Sequence, residues 1–186
     1  MLFPVDADEG FTGVYDGNNH VIKNLRMVKS SGQLGLFGSV SNSATIKNLG
    51  LEDCYISADG PIVGALAGQI FDGTVSNCYA TGMVKSNRGS TSPGRVGGLI
   101  GIVTNGTIDE CHFSGSVFSD TTSSYNNYVG GLIGYIENAE SLVSVTNSYA
   151  TDVTVEGASS VGGLIMVMIC CFATVCVTLC ARRRLS

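Results

Sequence analysis

The chain has 186 residues, of which 44% are apolar and only 13% charged, with 25 glycines and no tryptophan. That balance excludes a disordered chain, which needs low hydrophobicity and high charge, and the length leaves room for one domain of ordinary size. All 15 acidic residues but only seven of the ten basic ones lie in residues 1–160, a formal charge of −8 that excludes the basic surface of a nucleic-acid binder.

At the N-terminus no signal peptide is visible: Met1, Leu2, Phe3 and Pro4 run directly into Asp6, Asp8 and Glu9, with no basic region or long apolar core. Residues 11–15 read as a short strand, followed by a turn at Asp16-Gly17-Asn18-Asn19 and a second strand from Val21. Glycine and asparagine there tolerate positive φ. A calcium loop is rejected, because the rest of an EF-hand loop, including its closing glutamate, is missing.

Two phrases then recur. The first is Val96-Gly97-Gly98-Leu99-Ile100-Gly101, repeated letter for letter from Val129 to Gly134. Weaker copies are Gln33-Leu34-Gly35-Leu36-Phe37-Gly38 and Val63-Gly64-Ala65-Leu66-Ala67-Gly68, and a fifth, Val161-Gly162-Gly163-Leu164-Ile165, has Met166 where glycine is due. The leucines fall at 36, 66, 99, 132 and 164, and a near-constant step of 30 to 33 residues is the mark of stacked units. The second phrase follows each copy of the first. Stacked by letter, it gives an apolar β-branched column (Ile22, Ile46, Val75, Ile108, Val145) and an asparagine column broken by Glu110 (Asn24, Asn48, Asn77, Asn147). Further columns are Leu25, Leu49, Cys78, Cys111 and Ser148, then Tyr79, His112 and Tyr149.

Valine, isoleucine, threonine and tyrosine favour strands, and glycine or asparagine marks the breaks. No segment before residue 161 keeps a helical period. The chain is therefore read as all-β: a β-solenoid, right-handed β-helix-like, of about five stacked repeats. Inward residues of one coil meet those of the next about 4.8 Å away, and stacked asparagines bond from coil to coil. Residues 86–94 and 119–127 are polar and turn-rich, occupy the same place in consecutive units, and are expected to emerge on one side.

Residues 161–181 carry no charge and are followed by Arg182, Arg183 and Arg184. The stretch is long enough to span a bilayer core of about 30 Å as a helix, with the basic residues on the cytoplasmic side. The expected organisation is a repeat array over 1–163, a C-terminal hydrophobic transmembrane helix over 164–181 and a short basic cytoplasmic tail over 182–186. The competing reading of the last segment is a shifted reading frame after Ile165.

The Gly-Leu-x-Gly phrases resemble the GLUG-motif repeat family. They stand here as Gly35-Leu36-Phe37-Gly38, Gly98-Leu99-Ile100-Gly101 and Gly131-Leu132-Ile133-Gly134, with Leu66 and Gly68, and Gly163 and Leu164, in the two imperfect copies. The phrase from Phe11 to Leu25 also resembles the start of such arrays. The resemblance implies repeats of large bacterial secreted or surface proteins, adhesin-like or IgA-protease-related, with no catalytic residues of their own. It also implies more chain ahead of Phe11, so the sequence is read as a fragment.

No catalytic or metal-ligating set stands out. His20 and His112 lie in different units; His112 follows Cys111, but neighbouring strand residues point to opposite faces. No nucleophile elbow is present, and the scattered carboxylates do not argue for a glycosidase pair. Cys78 and Cys111 share a column and are read as free thiols filling the core, with a disulfide as the alternative. Asn105-Gly106-Thr107 is a possible glycosylation sequon and equally a turn, and the tail cysteines are apolar filling, with palmitate acceptance as the alternative. The sequence thus implies a non-enzymatic, cofactor-free cell-surface protein, a stalk or adhesive surface. Its partners are the membrane, through the C-terminal helix, and a host protein or carbohydrate. The alternative is a non-catalytic segment of a larger secreted hydrolase, such as an IgA-protease-like or polysaccharide-degrading enzyme.

Overall fold

Each strand finds its partner one unit further along the chain, and every named pairing is parallel. The structure, a computed structural model, describes residues 10–87, 93–119, 127–137, 142–157, 159–167 and 175–177. Parallel pairing follows from the repeat: each β-branched segment reaches its equivalent only after passing round the rest of the coil.

A coil has three sides. In the second coil these are Ala44–Ala58, Ile62–Val63 and Ala67–Ile70; in the third, Gly73–Ser86, Arg95–Gly97 and Ile100–Val103. The first side stacks into a nine-stranded sheet, and the other two into five-stranded sheets. Among the described residues the chain therefore passes each narrow side five times and advances about four turns between the first pass and the last. Inside lies one continuous core, with Ile46, Leu66, Val96, Leu99, Ile108, Phe113 and Leu132 all at 0% exposure. Phe11 closes part of its N-terminal end. It bridges to Val40 and holds its ring 5.2 Å from that of Phe37.

The broad sheet bends at two corners, and both use left-handed backbone. At the first, Asn48, Asn77, Glu110 and Asn147 have φ between 48° and 56°. Asparagine adopts this conformation at lower cost than other non-glycine residues, because its short side chain bonds locally. Asn77 Nδ2 donates to Asn48 Oδ1 at 2.8 Å, and Asn48 Nδ2 donates to Asp16 Oδ1 at 2.9 Å. Glu110 takes the same backbone shape but breaks the amide ladder, and Asn147 donates instead to Asp109.

Two expectations about the first coil are corrected. The turn expected at residues 16–19 is a corner within one continuous strand, Val14–Lys23, whose two halves both pair with Ala44–Ala58. Asn18 and Asn19, not Asn24, sit at the level of Asn48, because Ile22 pairs with Leu51 and not with Ile46. Asn24 instead belongs to the second corner, beside Asp53, its amide donating to the Glu52 carbonyl. The two corners use the same residue chemistry, so matching letters aligned the wrong pair.

The C-terminal helix is corrected as well. Ser160–Gly162 and Ile165–Val167 are strands that pair with Tyr128–Gly130 and Ile133–Ile136, so the fifth coil runs through the position where a helix from Leu164 is expected. Val175–Val177 then pairs with Val143–Thr146. The β-branched residues continue the parallel ladder already laid down beside them. Among the described residues no helix is long and apolar enough to cross a membrane; the remainder of 164–181 and the basic segment 182–186 lie outside them.

Candidate functional surface

The repeated glycine phrase forms the wall joining the two narrow sheets. Leu36, Leu66, Leu99 and Leu132 are all buried, and Leu99 N donates to the Leu132 carbonyl, as Leu132 N does to Leu164. The glycines admit backbone that a side chain would block. A Cβ on Gly97 would collide with the Ile100 carbonyl and lie 2.5 Å from Gly134 N, and one on Gly101 would lie 2.9 Å from Val63 N. Gly35, Gly68, Gly131 and Gly134 are hemmed in likewise by backbone of a neighbouring coil, whereas Gly163 has nothing within 4 Å. Gly38 is buried. Gly98 faces the ring of Phe113. The imperfect copy has Ala65 in this place, and it is fully buried.

Two aromatic groups stand on the outside. On the broad sheet the ring of His112 lies between those of Tyr79 and Tyr149, 4.9 Å from each and within 5° of parallel. Tyr79 leans over Gly50, and its hydroxyl donates to Glu52 Oε1 at 2.9 Å, while Lys23 pairs with the other oxygen at 2.8 Å. Lys23 and Tyr79 hold the Glu52 carboxyl below the usual carboxylate range. Burial and the same hydrogen bond push the Tyr79 phenol up, and burial holds the His112 imidazole below its ordinary value.

The second group lies where the outer faces of the narrow sheets meet. Gln33 Nε2 donates to Gln69 Oε1 at 2.7 Å, and Gln69 and Ile102 are buried although they belong to the outward row. Higher up, the Tyr128 and Tyr135 rings are 4.6 Å apart and tilted by 36°, and the Arg95 guanidinium carbon lies 5.4 Å from the centre of the Tyr135 ring. Sequence reasoning missed this trio. Its signal was the residue before each Val-Gly-Gly: Arg95 and Tyr128 occupy that place in consecutive units and pair directly. At the ends of the two turn-rich segments, Gly94 N donates to Asn127 Oδ1 at 2.8 Å; residues 88–92 and 120–126 lie outside the described set.

The remaining candidate residues sit within the scaffold. His20 bonds to the Gly17 carbonyl and stands apart from His112. The nitrogen of Asn105 that a glycan would occupy donates to Asp72 Oδ1 at 2.9 Å, and Asp72 also accepts from Ser43. Cys54, Cys78 and Cys111 are free, buried thiols. Burial pushes Cys54 and Cys78 up to about 11 and Cys111 further still. Such thiols are poor nucleophiles, since the thiolate is the reactive form. Among the described residues, no group of three or more histidine, cysteine or acidic side chains is placed to hold a metal ion.

The GLUG motif matches residues 59–85, 92–117 and 125–156, which span the interlocked turns of the second to fifth coils. The chain carries three GLUG repeats. The phrases at Leu36 and Leu164 lie outside those matches, yet they stack in the same leucine column as the GLUG repeats between them. Over 83 residues, 44% of its length, the chain is 37% identical to Halomucin of Haloquadratum walsbyi (strain DSM 16790 / HBSQ001), and it spans about 1% of that protein. Its fold resembles the crystal structure of a candidate immunoglobulin A1 protease from Bacteroides ovatus. The TM-score is 0.56 at 20% identity, with 91% of this chain and 64% of the other covered.

Proposed function

We propose that this chain is a non-catalytic stalk segment of a secreted or surface-displayed protein, presenting an adhesive face on a rigid β-solenoid. The observation that carries the reading is how the chemically capable side chains are used. Asp16, Glu52, Asp72 and Asp109 each accept hydrogen bonds from side chains of another coil, and His112 stacks on both neighbouring coils. These groups are spent on coil-to-coil cohesion, as a load-carrying spacer requires. Similarity to Halomucin and to GLUG repeats supports an extracellular setting.

The second reading, a non-catalytic segment of a larger secreted hydrolase, is favoured by the likeness in fold to a protein described as a candidate protease. Protease shaving of intact host cells carrying an epitope-tagged chain tests the shared element of both. Release of the tag without lysis is expected, and full protection of the tag would reject an external location.

A further inference from the structure

The trio of Arg95, Tyr128 and Tyr135 does something the cohesive ladders do not. Two ion pairs stand among the described residues, Lys23 with Glu52 and Lys47 with Asp16 at 3.4 Å. Arg95 is in neither pair, and its Nε is shielded from solvent without a hydrogen-bond partner.

The aromatic part has a surface to offer. In the Tyr79–His112–Tyr149 ladder the middle ring is covered on both faces by its neighbours. Tyr128 differs, because its partners along the strand ladder are Arg95 on one side and Ser160 on the other. A serine side chain is too short to cover a phenol ring. The Tyr135 ring packs 4.6 Å from that of Tyr128 and 5.4 Å from the Arg95 guanidinium carbon, so it buttresses both. A flat aromatic face beside a fixed nitrogen donor fits a pyranose ring, whose C–H face stacks on the phenol while a ring or hydroxyl oxygen accepts from the guanidinium. The −8 formal charge of residues 1–160 disfavours an anionic sugar at long range.

Resting on the reading of this chain as an adhesive surface, we propose that Arg95, Tyr128 and Tyr135 form a binding site for a neutral saccharide. Tyr128 supplies the stacking face, Arg95 the donor, and Tyr135 positions both.

The test is calorimetric titration of the full chain with neutral gluco-, manno- and galacto-oligosaccharides, and with an oligouronate as the charged arm. A neutral oligosaccharide is expected to bind. Tyr128→Ala and Arg95→Gln should each weaken it about tenfold, the loss of one good contact, while the melting temperature stays near that of the parent chain. Tyr79→Phe, on the other face, should bind as the parent does. Should a variant melt early, Ser160→Tyr serves in its place: it covers the Tyr128 face without removing any member of the trio and should also weaken binding. Absence of binding by every neutral sugar, undiminished binding in Tyr128→Ala, or preference for the oligouronate overturns the proposal. The shaving result is independent of all three, so a displayed chain that binds no sugar separates this failure from that of the stalk reading.

Discussion

The imidazole of His112 lies parallel to the phenol ring of Tyr79, one coil away, at a centroid distance of 4.9 Å. Tyr149 repeats the contact on its other face. Partial burial between two rings favours the neutral imidazole, so the folded chain takes up its proton at lower pH than the unfolded chain does. Above the unfolded value, near 6.5, this group contributes no penalty; as pH falls through 6.5 and then through the lower folded value, the unfolded state binds more protons and stability drops. Thermal melts between pH 7.5 and 5 should show a falling Tm in the parent chain and a flatter profile in His112→Phe. Equal slopes for the two would remove His112 as the source.

Leu99 is fully buried in the leucine column. Leu99→Ala should cost about 2–5 kcal/mol, as large-to-small changes in cores do. Denaturant titration monitored by far-ultraviolet circular dichroism measures it, and an unchanged midpoint would contradict the inward assignment.

Gly97 sets the approach of two coils, since a Cβ there would meet the Ile100 carbonyl and Gly134 N together. Gly97→Ala is expected to destabilise by about 3 kcal/mol, at the top of the usual range for overpacking, because both obstacles are backbone. Gly163→Ala, with nothing within 4 Å, should change stability far less. The contrast between two glycines of the same phrase in parallel melts is the readout.

Asn77 holds φ 48° and donates to Asn48. Asn77→Ala loses both the tolerated backbone and the bond, with an expected loss of about 1–2 kcal/mol for the left-handed backbone alone. Asn77→Gly keeps the backbone freedom and should recover much of that loss. If alanine and glycine behave alike, the corner is not held by its backbone conformation.

The period of the glycine phrase made the stacked architecture legible, because its contacts repeat with the chain and each unit repeats the same letters. Leu99, Leu132 and the apolar column from Ile46 to Val145 needed no structure to be found. The first coil was misaligned because Asn24 and Asn48 answer the same conformational demand at different corners. The tail misled for another reason: an uncharged run rich in valine and isoleucine satisfies a bilayer and a parallel ladder equally, and only the strands beside it decide. The Arg95–Tyr128–Tyr135 trio was hidden because its members come from different sides of two coils.

The contact between Gly97 and Gly134 spans 37 residues, and so does that between Gly64 and Gly101. Excising the 33 residues from 98 to 130 would bring Gly97 up to Gly131, with Leu132 next, and leave the phrase Val-Gly-Gly-Leu-Ile-Gly intact across the join. Gene rearrangements at this locus can thus lengthen or shorten the protein in whole increments without inventing a new junction. An insertion or deletion of any other size inside the phrase would set a side chain where only hydrogen fits. Heritable variation in length should be stepwise, and natural variants should differ by multiples of one coil.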